Sequence, residues 1–165
     1  MGSRFGWMAL AVVILCLAAP GAEAKPEKGK VFQDWKIDCQ VGPDKQEKCL
    51  AFHVGMSEDG KKVFDIAFGY VGPNGEPAVI ATLPLGISLR EGAALKVDER
   101  PLLPLQINTC RPDGCEAVAK LDDATLAAVR AAKSVALGVI PYGTTQPVGI
   151  PVSIKGLGAA VGSLK

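Results

Sequence analysis

Apolar and polar positions alternate along most of this chain. Trp35, Ile37 and Cys39 fall on one face of an extended stretch, with Asp34, Lys36 and Asp38 on the other. Phe64, Ile66, Phe68 and Tyr70 repeat the pattern within 63–71. Period-two alternation is the signature of a strand with one face in a core and one in water. The same reading predicts strands at 49–54, 78–83, 94–97, 105–109, 115–119, 135–140 and 148–154, and a short one at 87–89. Residues 78–83 are apolar at nearly every position, which places that strand centrally in a sheet. Turn residues separate the strands: Ser57-Glu58-Asp59-Gly60, the cluster at 72–77, and Gly143-Thr144-Thr145. One segment, 122–133, breaks the pattern. Asp122 or Asp123 can cap a helix there, Leu126 and Val129 share a face, and Arg130 and Lys133 suit the C-terminal end of its dipole. The Gly-rich tail after Lys155 shows no readable period. Many short strands with one short helix predict an all-β sandwich spanning 32–165.

The first 24 residues stand apart. Arg4 precedes an unbroken apolar run at 7–19, WMALAVVILCLAA. A membrane-spanning helix needs roughly 20 apolar residues, whereas about 7–15 suit the apolar core of a secretory signal peptide. Pro20 and Gly21 end the run, and Ala22-Glu23-Ala24 supplies small residues where a signal peptidase reads. Cleavage is expected after Ala24, with no transmembrane segment left afterwards. Residues 25–31, containing KPEKGK, are expected to form a flexible leader.

Export changes the meaning of the cysteines. Cys16 lies in the signal segment, leaving Cys39, Cys49, Cys110 and Cys115. An even number in an oxidising compartment implies disulfides. Three pairings are possible, and the turn chemistry favours two local ones. Arg111-Pro112-Asp113-Gly114 lies between Cys110 and Cys115, and Gly42-Pro43-Asp44 lies between Cys39 and Cys49. Structural zinc is the poorer reading, because its ligands favour closer spacing, and no C-x-x-C redox motif occurs.

Composition narrows the function classes. The 165 residues carry 18 Lys+Arg against 17 Asp+Glu, a net charge of +1, without the basic surplus of a nucleic-acid binder. The single histidine, His53, has no recognisable nucleophile or orienting partner in sequence, and no G-x-S-x-G surrounds Ser88, Ser134 or Ser153. No catalytic, metal or cofactor-binding residue is assigned. The paired carboxylates Glu58-Asp59, Asp98-Glu99 and Asp122-Asp123 read as turns and a helix start. For contact with another protein, the candidate is 85–92: Leu85, Ile87 and Leu89 offer apolar contact, and Arg90 and Glu91 a charged rim. The alternative is that the three apolar residues are simply core.

Four segments together resemble the invasion-associated locus B family of Gram-negative bacteria. They are Phe32-Gln33-Asp34-Trp35 with Cys39 beyond, LPLGISLREG at 83–92, Cys110 with Gly114-Cys115, and PVSIKG at 151–156 with Ala159-Ala160. Gln33 stands where the family usually has Gly, and Leu157 where it usually has Phe. The resemblance implies an exported, immunoglobulin-like β-sandwich in the periplasm or at the outer surface, tied in founding members to host-cell entry, with no assigned catalytic residue. Two functions remain in view: a non-enzymatic binding or accessory protein, which the residues favour, and a periplasmic thiol-active or hydrolytic enzyme.

Overall fold

In the computed structural model the alternation becomes, among the described residues, ten strands and two helices. The structure describes Gly2 and residues 26–42, 45–72 and 74–165. The expected signal peptide and its cleavage point, and Pro43-Asp44 and Pro73 of the expected turns, lie outside the described residues. The strands are β1 (Val31–Phe32), β2 (Trp35–Val41), β3 (Glu47–Met56), β4 (Lys62–Tyr70), β5 (Pro77–Leu83), β6 (Ala93–Val97), β7 (Leu103–Arg111), β8 (Gly114–Lys120), β9 (Val135–Val139) and β10 (Val148–Val152). Helix α1 (Asp123–Ala131) precedes β9 and α2 (Leu157–Gly162) follows β10.

The strand order is β1-β2-β3-β4-β5-β8-β7-β6-β9-β10, with every neighbour antiparallel. Strand β7 serves both layers of the sandwich. Leu103, Pro104 and Leu105 pair with β6, and from Gln106 onward the strand pairs with β8. Strands β6, β7 and β8 are successive neighbours and β9 returns beside β6, which is Greek-key connectivity. One core cluster joins the layers. Trp35, Ile37, Ile66, Phe68, Val79 and Leu83 enter it from one side, and Leu95, Val97, Leu137 and Val139 from the other. Each large side chain fully withdrawn from water contributes roughly 1.5–3 kcal/mol. The free edges meet where Trp35 Nε1 donates to Ser153 O at 2.9 Å and Asp34 N to Lys155 O at 3.3 Å.

Helix α1 forms as its sequence predicts. Asp122 is the N-cap, its carboxylate accepting from Thr125 N at 2.6 Å, and Leu126 and Val129 are buried. Helix α2 gives the unread tail a structure and adds a second helix to the expected one. Its apolar residues Leu157, Ala160 and Val161 are buried, as is Leu164 beyond it. Two glycines let it dock. At Gly156, with φ of 84°, an added Cβ would stand 1.8 Å from Phe32 O, and at Gly158 it would stand 2.3 Å from Arg130 O. The β1–β2 turn holds Gln33 at φ of 53°, a left-handed conformation that glycine adopts without the Cβ penalty.

The expected strand at 87–89 is corrected. It makes a single bridge, Ile87 to Pro141, and otherwise forms a loop. This segment is the crossover from β5 in one layer to β6 in the other. Gly86 and Gly92 turn the chain at φ of 80° and 73°, leaving too little extended length for a ladder.

Candidate functional site

The cysteines take the two local pairings. Cys39 is bonded to Cys49 and Cys110 to Cys115, each pair directly opposed across an antiparallel register. Cys39 is 1% exposed and Cys115 2%, so each bridge roots a hairpin in the core. Thiolate chemistry needs an accessible, ionisable sulfur; both pairs are instead closed as bridges.

His53 sits at the rim of the core on β3. Its ring lies 5.2 Å from Trp35 and 6.0 Å from Phe64, centroid to centroid, and Nδ1 lies 2.8 Å from Asp34 O. A carbonyl only accepts, so Nδ1 carries the proton in that bond. The fold also brings Ser153 to Asp34: Oγ donates to the carboxylate at 2.5 Å. A serine, an aspartate and a histidine therefore meet, but in the wrong order for nucleophilic catalysis. There the serine bonds the histidine and the carboxylate orients the ring. Here both bonds converge on Asp34: the one through its side chain joins the two sandwich edges, and the one through its backbone ties the β1–β2 turn to the neighbouring β3. Sequence separation of 119 residues hid the Asp34–Ser153 pair.

The crossover segment 85–92 splits between the readings open to it. Ile87 is 8% exposed and belongs to the core, whereas Leu85 and Leu89 are 54% and 56% exposed. The loop is pinned beside β9: Ser88 N donates to Ile140 O at 2.7 Å, and Tyr142 N to Gly86 O at 2.8 Å. Alongside lies an open groove of about 290 Å³ whose lining includes Glu91, Ala94, Leu102, Pro104, Gly138 and Ile140. Its lining includes a row of small residues, Pro104, Ala94 and Gly138, set opposite one another in register, and Gly149 continues that row on β10. Leu102 and Tyr142 are also exposed, Tyr142 at 82%. Arg90 and Glu91 are both exposed, and of the two only Glu91 lines the groove. Sequence reading missed Leu102 and Tyr142. An aromatic just before the Gly143 turn was the available signal for the second.

Among the described residues, four carboxyls are held below the usual range, each by a hydrogen bond within the fold: Asp59 by the Lys61 side chain, Glu76 by the Asn74 backbone, Asp98 by the Ser134 backbone and Asp122 by the Thr125 side chain. A general acid needs the opposite displacement. These are turn and cap groups, and none lines the groove.

The invasion associated locus B profile matches residues 35–165, beginning at the first core tryptophan. The chain belongs to this family. It is 27% identical over 162 residues to the invasion protein B homologue of Brucella abortus strain 2308, spanning 98% of this chain and 92% of that one. The homologue of biovar 1 strain 9-941 gives the same figures. The crystal structure of invasion associated protein B from Bartonella henselae matches with a TM-score of 0.72 at 24% identity, over 82% of this chain and 92% of that chain. That match establishes the shared sheet-rich fold. Of the two positions singled out by the resemblance, Gln33 holds a left-handed turn conformation and Leu157, at 1% exposure, is part of the core.

Proposed function

We propose that this protein is exported to the periplasm or outer surface of a Gram-negative cell and works by binding another protein, not by catalysis. The groove beside the crossover loop is the contact surface. One observation carries the reading: Leu102, which lines the groove, and Leu85, Leu89 and Tyr142, on the crossover loop and the segment hydrogen-bonded to it, are large apolar side chains left in water. Exposed apolar surface rimmed by polar groups is the usual mark of a protein interface. The apolar run at 7–19 and the two bridges support export. Relatives named invasion proteins support a role in host-cell contact or at the envelope.

A photo-crosslinking residue at Leu89, in cells exporting the protein, tests this. A discrete protein adduct is expected, weakened by Arg90→Glu and unchanged by His53→Ala. Loss of the biological role in a folded, fully bridged His53→Ala protein would overturn the reading and point to an enzyme.

A further inference from the structure

The composition of β5 and the surroundings it receives disagree. PAVIATL reads as a strand covered on both faces, yet only Val79, Ala81 and Leu83 are buried. Ile80 faces the other way. The registers extend it into a row across six strands: Lys36, Phe52, Ala67, Ile80, Val118 and Gln106. The next row runs Asp38, Leu50, Gly69, Ala78 and Lys120. Val54 opens a third, through Asp65, Thr82 and Glu116. Leu50, Phe52, Val54, Ile80 and Val118 are all partly exposed, and none packs against the core cluster. A solvated sheet face is ordinarily polar at such positions.

We propose that this face is covered by the same face of a second copy, in a two-fold symmetric dimer. Charge selects that occupant. A two-fold axis along β4 reverses the strand order in the facing copy. Asp38 then stands over Lys120 of the second copy, and Lys120 over its Asp38. Phe52 meets Ile80, Leu50 meets Ala78, and the small residues Ala67 and Gly69 meet their own counterparts on the axis. The Asp38–Lys120 row is therefore complementary to itself, as an isologous interface requires, while the row beside it sets Lys36, on the rim of the overlap, over Val118. Lys120 is 78% exposed in its side chain and its pair with Glu76 is long at 3.7 Å, so it can turn to this partner. Asp65, near the axis, is already neutralised by Lys62 at 2.5 Å. Five strands, β2 to β5 with β8, overlap about this axis, and with three rows they span roughly 24 by 20 Å at ordinary sheet spacings. A face-to-face pair thus hides on the order of 1,000 Å², at the lower limit for a specific interface.

Sedimentation velocity on the purified, oxidised protein, from micromolar to near-millimolar concentration, tests the proposal. A reversible dimer is expected. Phe52→Glu should abolish it while the disulfides and near-ultraviolet spectrum stay intact. Asp38→Lys should raise the dissociation constant about tenfold, since two like-charge contacts replace two pairs. Combining it with Lys120→Asp should restore association, and Leu89→Glu, on the crossover loop, should leave it unchanged. A monomer throughout, a dimer indifferent to Phe52→Glu, or no rescue in the charge-swapped double variant overturns the proposal.

Discussion

The layer of β2 to β5 with β8 is built from strands of seven to ten residues, whereas β6, β9 and β10 have five each. The first layer supplies the aromatic core, Trp35, Phe64 and Phe68, and both disulfides attach to it. The strands of the second contribute only aliphatic side chains to the core, and their outer row is Pro104, Ala94, Gly138 and Gly149. Bulk and cross-links give the first layer its rigidity. The second is thin, and it carries the crossover loop and the groove. A rigid layer carrying a lightly built one is a common division of labour, with loops on a stable scaffold free to meet a partner.

The largest test of this contrast deletes a core side chain from each layer. Trp35→Ala should cost about 3–5 kcal/mol, because it opens a cavity beside Phe68 and also removes the bond to Ser153 that ties the edges together. Leu137→Ala in β9 should cost about 2–4 kcal/mol. Urea unfolding of both variants measures the difference, and a Leu137→Ala cost above that of Trp35→Ala would reverse the assignment of the stronger layer.

Removing a bridge should have a smaller effect. Replacing Cys39 and Cys49 together by Ser should cost about 3 kcal/mol, and the Cys110 and Cys115 pair about 2, because the second closes the shorter loop, a sequence separation of 5 against 10. Thermal denaturation of the two double variants would show the first melting lower. The opposite order would mean that loop closure is not the controlling term.

The smallest effect concerns pH and the second layer. Asp98 Oδ1 accepts from Ser134 N at 2.8 Å and from Lys133 N at 3.0 Å, joining the end of β6 to the start of β9. The Ser134 backbone donor, first among these, holds its carboxyl below the usual value. A carboxyl depressed in the folded state contributes fully above its unfolded value, near pH 4, and loses that contribution as pH falls through the folded value. Stability should therefore decline on acidification below about pH 4, and Asp98→Asn should flatten part of that decline. An unchanged acid limb in the variant would show that this junction contributes nothing to it.

Local pattern determined much of this protein. Alternation set the inward faces of β2 and β4, because side chains two apart must share a face. Asp122 and the i, i+3 pair set α1, because capping and amphipathic spacing act within one turn. Turn residues set both disulfides, because a hairpin places its flanks opposite one another. Tertiary structure decided the rest. The six-residue α2 is too short to hold alone and exists because the chain ends of β1 to β3 and α1 offer it an apolar seat. The 87–89 segment alternates like a strand but spends its length crossing between layers. Leu85 and Leu89 have the same composition as core residues, and only the position of β9 beside them fixed Ile87 inward and the other two in water. Asp34, His53 and Ser153 met for the same reason: non-local contacts are set by where whole strands pack, and no local period encodes that.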